Sequence, residues 1–218
     1  MRPMGWLRRL LASGPRHVAR GWNRWVVLDT ETTGIDPARD ALLAIGAVTV
    51  DDEGIRTADS FEIVLRHTGA TDAANVVVHG LGRAALDAGV PGTAALQAFR
   101  EWVDAAPCVG FHADFDRLVL ARAAELGDVA PLPGPWLDLA PLAAALTPEV
   151  PRKGNGTLDE WLAAYGVACP GRHNAASDAL AAAELLLRLR TVAAAQGAVG
   201  FDQLATLARQ RKWLGANR

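Results

Sequence analysis

Two kinds of hydrophobic spacing divide this chain. Between residues 25 and 65 apolar residues come in short runs broken by polar turns, whereas beyond residue 93 they recur every three or four positions. Trp25-Val26-Val27-Leu28 is a continuous apolar run that ends in acidic residues, the pattern of a buried central strand. Residues 41–50 form a second run and predict the next strand. Asp51-Asp52-Glu53-Gly54 is a polar turn, and a third strand is expected around residues 60–65. Three strands joined by short polar links predict an antiparallel meander.

The second half reads differently. Leu96, Phe99 and Val103 give residues 93–105 a helical face, and residues 108–111 are a short strand. Residues 114–126 predict a helix with Phe115, Leu118 and Val119 inward, Asp114 being the better N-cap candidate. Residues 136–139 read as a strand end or a helix start. Residues 157–165 predict a helix with Thr157 as N-cap and Glu160 as its box partner. Residues 176–189 and 201–213 predict two more helices. Strands first, then alternating strand and helix, give an α/β class: a mixed central sheet, antiparallel in its first three strands and parallel after, flanked by helices. The expected organisation is a basic extension over residues 1–24, a domain over 25–190 and a C-terminal helix within 191–218.

Composition narrows the class. Of 218 residues half are hydrophobic and 21% charged, which suits one soluble globular domain. The net charge of −2 gives no global sign of nucleic-acid binding, so any basic surface is local. Cys108 and Cys169 lack metal-type spacing and read as small apolar residues, with nothing to suggest an oxidising compartment. No apolar run is long enough to span a membrane, and a cytoplasmic location is expected. Residues 1–24 carry Arg2, Arg8, Arg9, Arg16, Arg20 and Arg24 without one acid. Arg8-Arg9 interrupts the apolar stretch a secretory signal needs. Trp6, Leu7, Leu10 and Leu11 share a helical face, and a short helix packed on the domain or a frayed tail is favoured. Peripheral membrane contact or a phosphate-contacting arm is the sharper alternative.

The chemistry concentrates in three segments: Asp29-Thr30-Glu31-Thr32-Thr33-Gly34, Phe111-His112-Ala113-Asp114-Phe115-Asp116, and His173-Asn174-Ala175-Ala176-Ser177-Asp178. Asp29 and Glu31 are two apart on a strand, so their carboxylates face one side, and Gly34 then lets the chain turn sharply. Two acids at the end of a buried strand are costly unless something positive lies between them, and a divalent cation fits; the alternative is an exposed strand-end pair that merely solvates the turn. Asp116 and Asp178 each fall in the first turn of a helix, where the helix dipole alone favours an acid. His173 lies on the loop leading to Asp178. Together the four acids would hold two Mg²⁺ roughly 3.5–4 Å apart, and an imidazole beside them would take a proton from water.

These motifs resemble those of the DEDD superfamily of 3′–5′ exonucleases, in the DnaQ-like subgroup whose last motif carries histidine (DEDDh). Asp29 and Glu31 sit in its Asp-x-Glu-Thr-Thr-Gly, Phe115-Asp116 in its second motif, and His173, Ala175 and Asp178 in its His-x-Ala-x-x-Asp. Val78-His79-Gly80-Leu81 and Leu158-Asp159-Glu160-Trp161-Leu162 are similar to two further family segments. The similarity runs from about residue 25 to residue 189. Where the second motif usually has asparagine this chain has His112, preceded by Phe111.

The resemblance implies an RNase H-like fold and two Mg²⁺ or Mn²⁺ ions bound by Asp29, Glu31, Asp116 and Asp178. It implies His173 as general base, with Thr30, Thr32, His79, Phe115 and, by position, His112 around the terminal nucleotide. The expected activity is release of nucleoside 5′-monophosphates from the 3′ end of single-stranded or frayed DNA. RNA trimming and a polymerase-associated proofreading subunit are the alternatives, with single-stranded 3′ ends and a DNA polymerase subunit as the corresponding partners.

Overall fold

In the computed structural model, which describes residues 23–69, 80–149 and 153–216, the first apolar run is the middle strand of five. Strand β1 (Trp25–Thr32) pairs antiparallel with β2 (Leu42–Val50), and β2 antiparallel with β3 (Ile55–Val64). On its other side β1 pairs parallel with β4 (Cys108–Gly110), and β4 parallel with β5 (Trp136–Asp138). The order is therefore β3-β2-β1-β4-β5, the mixed sheet the sequence predicts. The meander is also as predicted, although β3 begins at Ile55, earlier than the apolar run alone suggests.

Seven helices follow among the described residues: α1 (Arg83–Ala88), α2 (Gly92–Val103), α3 (Asp114–Leu126), α4 (Leu139–Leu146), α5 (Leu158–Tyr165), α6 (Ala175–Ala195) and α7 (Phe201–Ala216). Strand alternation splits β1 between two cores. Trp25 and Val27 face a core with Leu142 of α4, Trp161 of α5, Leu185 of α6 and Leu204 of α7. Val26 and Leu28 face the other, with Phe99 of α2 and Val119 and Leu120 of α3. Both faces are covered, which is why β1 begins, and β2 remains throughout, without an exposed residue.

Local chemistry sets the helix starts. Thr157 and Glu160 form the predicted capping box, Thr157 N donating to Glu160 Oε2 at 2.7 Å and Glu160 N to Thr157 Oγ1 at 3.3 Å. Asn174 caps α6 by accepting from Ser177 N at 3.0 Å. Two expectations for α3 are corrected. Its N-cap is Ala113 without a side-chain bond, and Asp114 lies inside the first turn, where Lys212 of α7 pairs with it. Leu118 is 45% exposed, because the buried face of α3 runs through Asp116, Val119, Leu120 and Ala124. Helix α6 continues to Ala195, and α7 packs into the same core as α4 and α6. No helix among the described residues is long and apolar enough to cross a membrane. Residues 1–22, to which the basic extension belongs, lie outside the described set.

Candidate active site

The site forms where β1 outruns its parallel neighbour. The β1–β4 pairing covers Val26 with Cys108 and Val27 with Val109, and β4 ends at Gly110 while β1 continues to Thr32. The strand order also switches sides here, since the meander lies on one side of β1 and β4 on the other. An open α/β sheet has its natural crevice at such a point, beyond the carboxyl ends of its strands.

Asp29 and Glu31 share the face of β1 with Trp25 and Val27, the face that α6 covers. Asp178, in the first turn of α6, meets them there, and one carboxylate oxygen from each of the three lies within 4.8 Å of the others. A glycine makes this meeting possible. Gly46 of β2 pairs with Asp29, and a Cβ on it would stand 2.2 Å from the backbone of Ala175 and Ala176 at the start of α6. Nothing larger than hydrogen leaves room for the helix end to settle on the strand.

Asp116 arrives from the opposite face. Thr30 points toward the α3 side of the sheet, and its Oγ1 donates to Asp116 Oδ1 at 2.7 Å. Asp116 is 3% exposed and Asp178 4%, so both carboxylates have left bulk water. Among neighbouring charges Asp116 acts most strongly on Asp29, ahead of Asp178 and Glu31. The four predicted acids thus come together, three as one group and Asp116 beside Asp29.

The electrostatics follow from that crowding. Burial first, then repulsion from Asp116, Asp178 and Glu31, holds the Asp29 carboxyl well above its usual value. Burial and the charge of Asp178 push Glu31 up to about 7. Burial also raises Asp116 to about 7, against the hydrogen bond from Thr30 that favours its ionised form. Buried Glu31 Oε1 has no hydrogen-bond partner. A hard divalent cation answers all three features, because it neutralises clustered carboxylates and takes oxygen ligands. Asp29, Glu31 and Asp178 therefore fit such an ion.

The loop before α6 clamps Asp178. His173 N donates to Asp178 Oδ2 at 3.0 Å, Cys169 Sγ donates to Oδ1 at 3.4 Å, and the Arg172 guanidinium forms an ion pair with Oδ2. The Cys169 thiol is held above its usual range by burial and by Asp178, so it is a donor here. His173 has an exposed side chain and a left-handed backbone (φ 61°), as does His112 (φ 55°). Non-glycine residues adopt that conformation sparingly, and here it occurs at both histidines that precede the acid-bearing helices.

The Thr30 hydroxyl is committed to Asp116, and Thr32 Oγ1 donates to Gly34 O at 2.5 Å. Phe115 is half-buried against the α2–α3 core. Exposed His112 donates through Nε2 to Gly156 O at 3.1 Å and meets Phe111 edge-on. His79 lies outside the described residues. Gly34 has no left-handed backbone; it is needed for closeness, since a Cβ there would stand 2.5 Å from the Asp40 carboxylate that pins the following loop. Sequence reasoning missed Gly46, Cys169 and Arg172. A glycine inside an apolar strand and a cation next to His173 were the signals present.

Residues 26–186 match the protein-family model described as Exonuclease (RNase_T). A DNA polymerase III subunit epsilon-like protein of Rhodobacter capsulatus is 30% identical over 190 residues, covering 85% of this chain and 26% of that protein. A PolC-type DNA polymerase III of Bacillus subtilis is 28% identical over 181 residues, covering 83% of this chain and 12% of that protein. The chain thus spans about a quarter or less of these relatives' length. In fold it is similar to E. coli exonuclease I in complex with a dT13 oligonucleotide, with a TM-score of 0.68 at 19% identity over 80% of this chain and 42% of that one. Cell-death related nuclease 4 gives 0.67 at 17% identity, over 78% and 64%.

Proposed function

This chain belongs to the exonuclease family, and from that premise we propose that it removes nucleotides from the 3′ end of single-stranded or frayed DNA, using divalent cations held by Asp29, Glu31, Asp116 and Asp178. The observation that carries this reading is the convergence of Asp29, Glu31 and Asp178, with the buried Oε1 of Glu31 left without a hydrogen-bond partner. Mg²⁺ or Mn²⁺, two ions in this reading, would supply Lewis-acid charge at the scissile phosphate.

The chain's own residues have distinct tasks in this scheme. Thr30 fixes Asp116, while Cys169 and the His173 amide fix Asp178, so the ligands are oriented before substrate arrives. The exposed imidazole of His173 accepts the proton of the attacking water, and its backbone N–H, donated to Asp178 Oδ2, ties that loop position to the acid. Phe115, His112 and His79, with the backbone around Thr30 and Thr32, hold the terminal nucleotide. Contacts of that kind read stacked base, sugar and phosphate, so little sequence preference is expected.

A 3′-labelled single strand supplied as matched DNA and RNA, with and without EDTA, tests the reading. Stepwise release of 5′-monophosphates from DNA that EDTA stops is the expected result. No hydrolysis in Mg²⁺ or Mn²⁺, or hydrolysis that survives EDTA, overturns it, and faster loss of RNA reassigns the substrate to oligoribonucleotides. The polymerase III relatives favour one further reading of the partner, a polymerase-bound role, which co-purification with a polymerase subunit would support.

A further inference from the structure

The acid cluster already contains a cation. Arg172 spans two carboxylates: Nε donates to Asp159 Oδ1 of α5 at 2.6 Å, and Nη1 pairs with Asp178 Oδ2. The two partners are unequal. The Asp178 side chain is 6% exposed and faces Asp29 and Glu31, whereas that of Asp159 is 66% exposed and stands outside the cluster. The guanidinium therefore has one foot in the candidate metal centre and one in solvent. Its charge opposes the repulsion that Asp116 and Asp178 exert on Asp29 and Glu31. A divalent cation seated among Asp29, Glu31 and Asp178 competes with Arg172 for the same Asp178 carboxylate.

Resting on the metal-centre reading above, we propose that Arg172 is a built-in counter-ion: it offsets part of the acid cluster's charge in metal-free protein, yields Asp178 to an entering divalent cation, and keeps Asp159 as its tether. It is a positioning residue that sets the metal concentration at which the site loads. A guanidinium suits the task, because its fork serves two carboxylates at once and its charge persists across the physiological pH range.

Mn²⁺ binding to the full chain, followed by EPR of the free ion, and the melting temperature with and without Mn²⁺ test this together. Arg172→Gln should bind Mn²⁺ more tightly by about tenfold or more, a floor set by one unit charge a few ångströms from a dication even when screened as in water. It should also melt lower than wild type without metal and recover in saturating Mn²⁺. Arg172→Lys, which keeps the charge, should stay near wild type in Mn²⁺ affinity. Asp159→Asn removes the tether, leaves the guanidinium to Asp178 alone and should weaken Mn²⁺ binding. A residue that merely supports the loop would weaken binding in both Arg172→Gln and Asp159→Asn. The inference is overturned if Arg172→Gln binds no tighter than wild type or if these two variants shift the same way. Should Arg172→Gln fail to fold, Arg172→Met, which keeps an unbranched stem and removes the charge, takes its place, and Mn²⁺ binding no tighter than wild type there overturns the inference. Wild-type protein that binds no Mn²⁺ sinks the metal-centre reading itself, and this inference with it.

Discussion

Near the Trp25 end of β1 the Asp59 carboxylate accepts from Arg24 Nε at 2.9 Å, Thr49 Oγ1 at 2.9 Å and Trp102 Nε1 at 3.0 Å. At the Thr32 end Asp29, Glu31 and Asp178 crowd together with Arg172 on one of them and Asp116 close by. The two ends respond in opposite directions. Arg24, followed by Thr49 and Trp102, holds the Asp59 carboxyl below its usual value, whereas burial and repulsion from Asp116 and Asp178 hold Asp29 and Glu31 above theirs. An acid that serves the fold is matched by donors. Acids that remain under-matched in the folded protein are poised for something absent from the fold itself, and a dication supplies the missing charge.

The strongest way to break that contrast is to neutralise one acid at the crowded end. Asp29→Asn should abolish hydrolysis of a 3′-labelled strand and, by relieving repulsion, raise the melting temperature of metal-free protein. Retained activity, or a lower melting temperature, would mean that the cluster is structural after all. Next comes His173→Ala, which should slow turnover by ~10²–10⁴ while Mn²⁺ still binds. An unchanged rate would remove the imidazole from the mechanism and leave the acids in place.

Gly46→Val attacks the geometry that builds the crowding. The new side chain must displace the start of α6, because backbone of Ala175 and Ala176 occupies its Cβ position. Overpacking of this kind costs about 1–3 kcal/mol, and more where backbone has to move. A lower melting temperature with weakened Mn²⁺ binding is expected. A variant with wild-type Mn²⁺ affinity would show that Asp178 does not depend on this seat.

These residues also show what a sequence exposes and what it hides. The apolar runs of β1 and β2, the ends of α3 and the Thr157–Glu160 box are local features, written in neighbouring residues. The motif carboxylates were legible for a related reason: strand alternation and helix first turns fix where each side chain points. Only the start of helix α4 was open to reading and its extent was not, because it is buried on nearly every side and shows no amphipathic period. Helix α1 has six residues and no side-chain cap to announce it. Gly46 and Arg172 were hidden more deeply. What matters at each is a partner more than a hundred residues away, or one whose approach depends on how α6 packs.

The mildest probe sharpens the comparison through pH. A carboxyl whose folded value is raised binds more protons folded than unfolded, so metal-free protein loses stability as pH rises from the usual carboxylate range toward about 7, the window of Glu31 and Asp116. A carboxyl held low does the reverse. The stability Asp59 contributes is present above its unfolded value near 3.8 and is lost as pH falls through its lower folded value. Glu31→Gln should therefore flatten the metal-free melting profile between about pH 4.5 and 7, and saturating Mn²⁺ should flatten it in wild type. Asp59→Asn should lower the profile at neutral pH by the equivalent of about 1 kcal/mol or less, since its ion pair is partly solvated. It should also soften the fall below pH 4 and leave hydrolysis unchanged. If both substitutions altered the same pH window, the two ends of β1 would not be electrically distinct, and the matched and unmatched acids would lose their separate meanings.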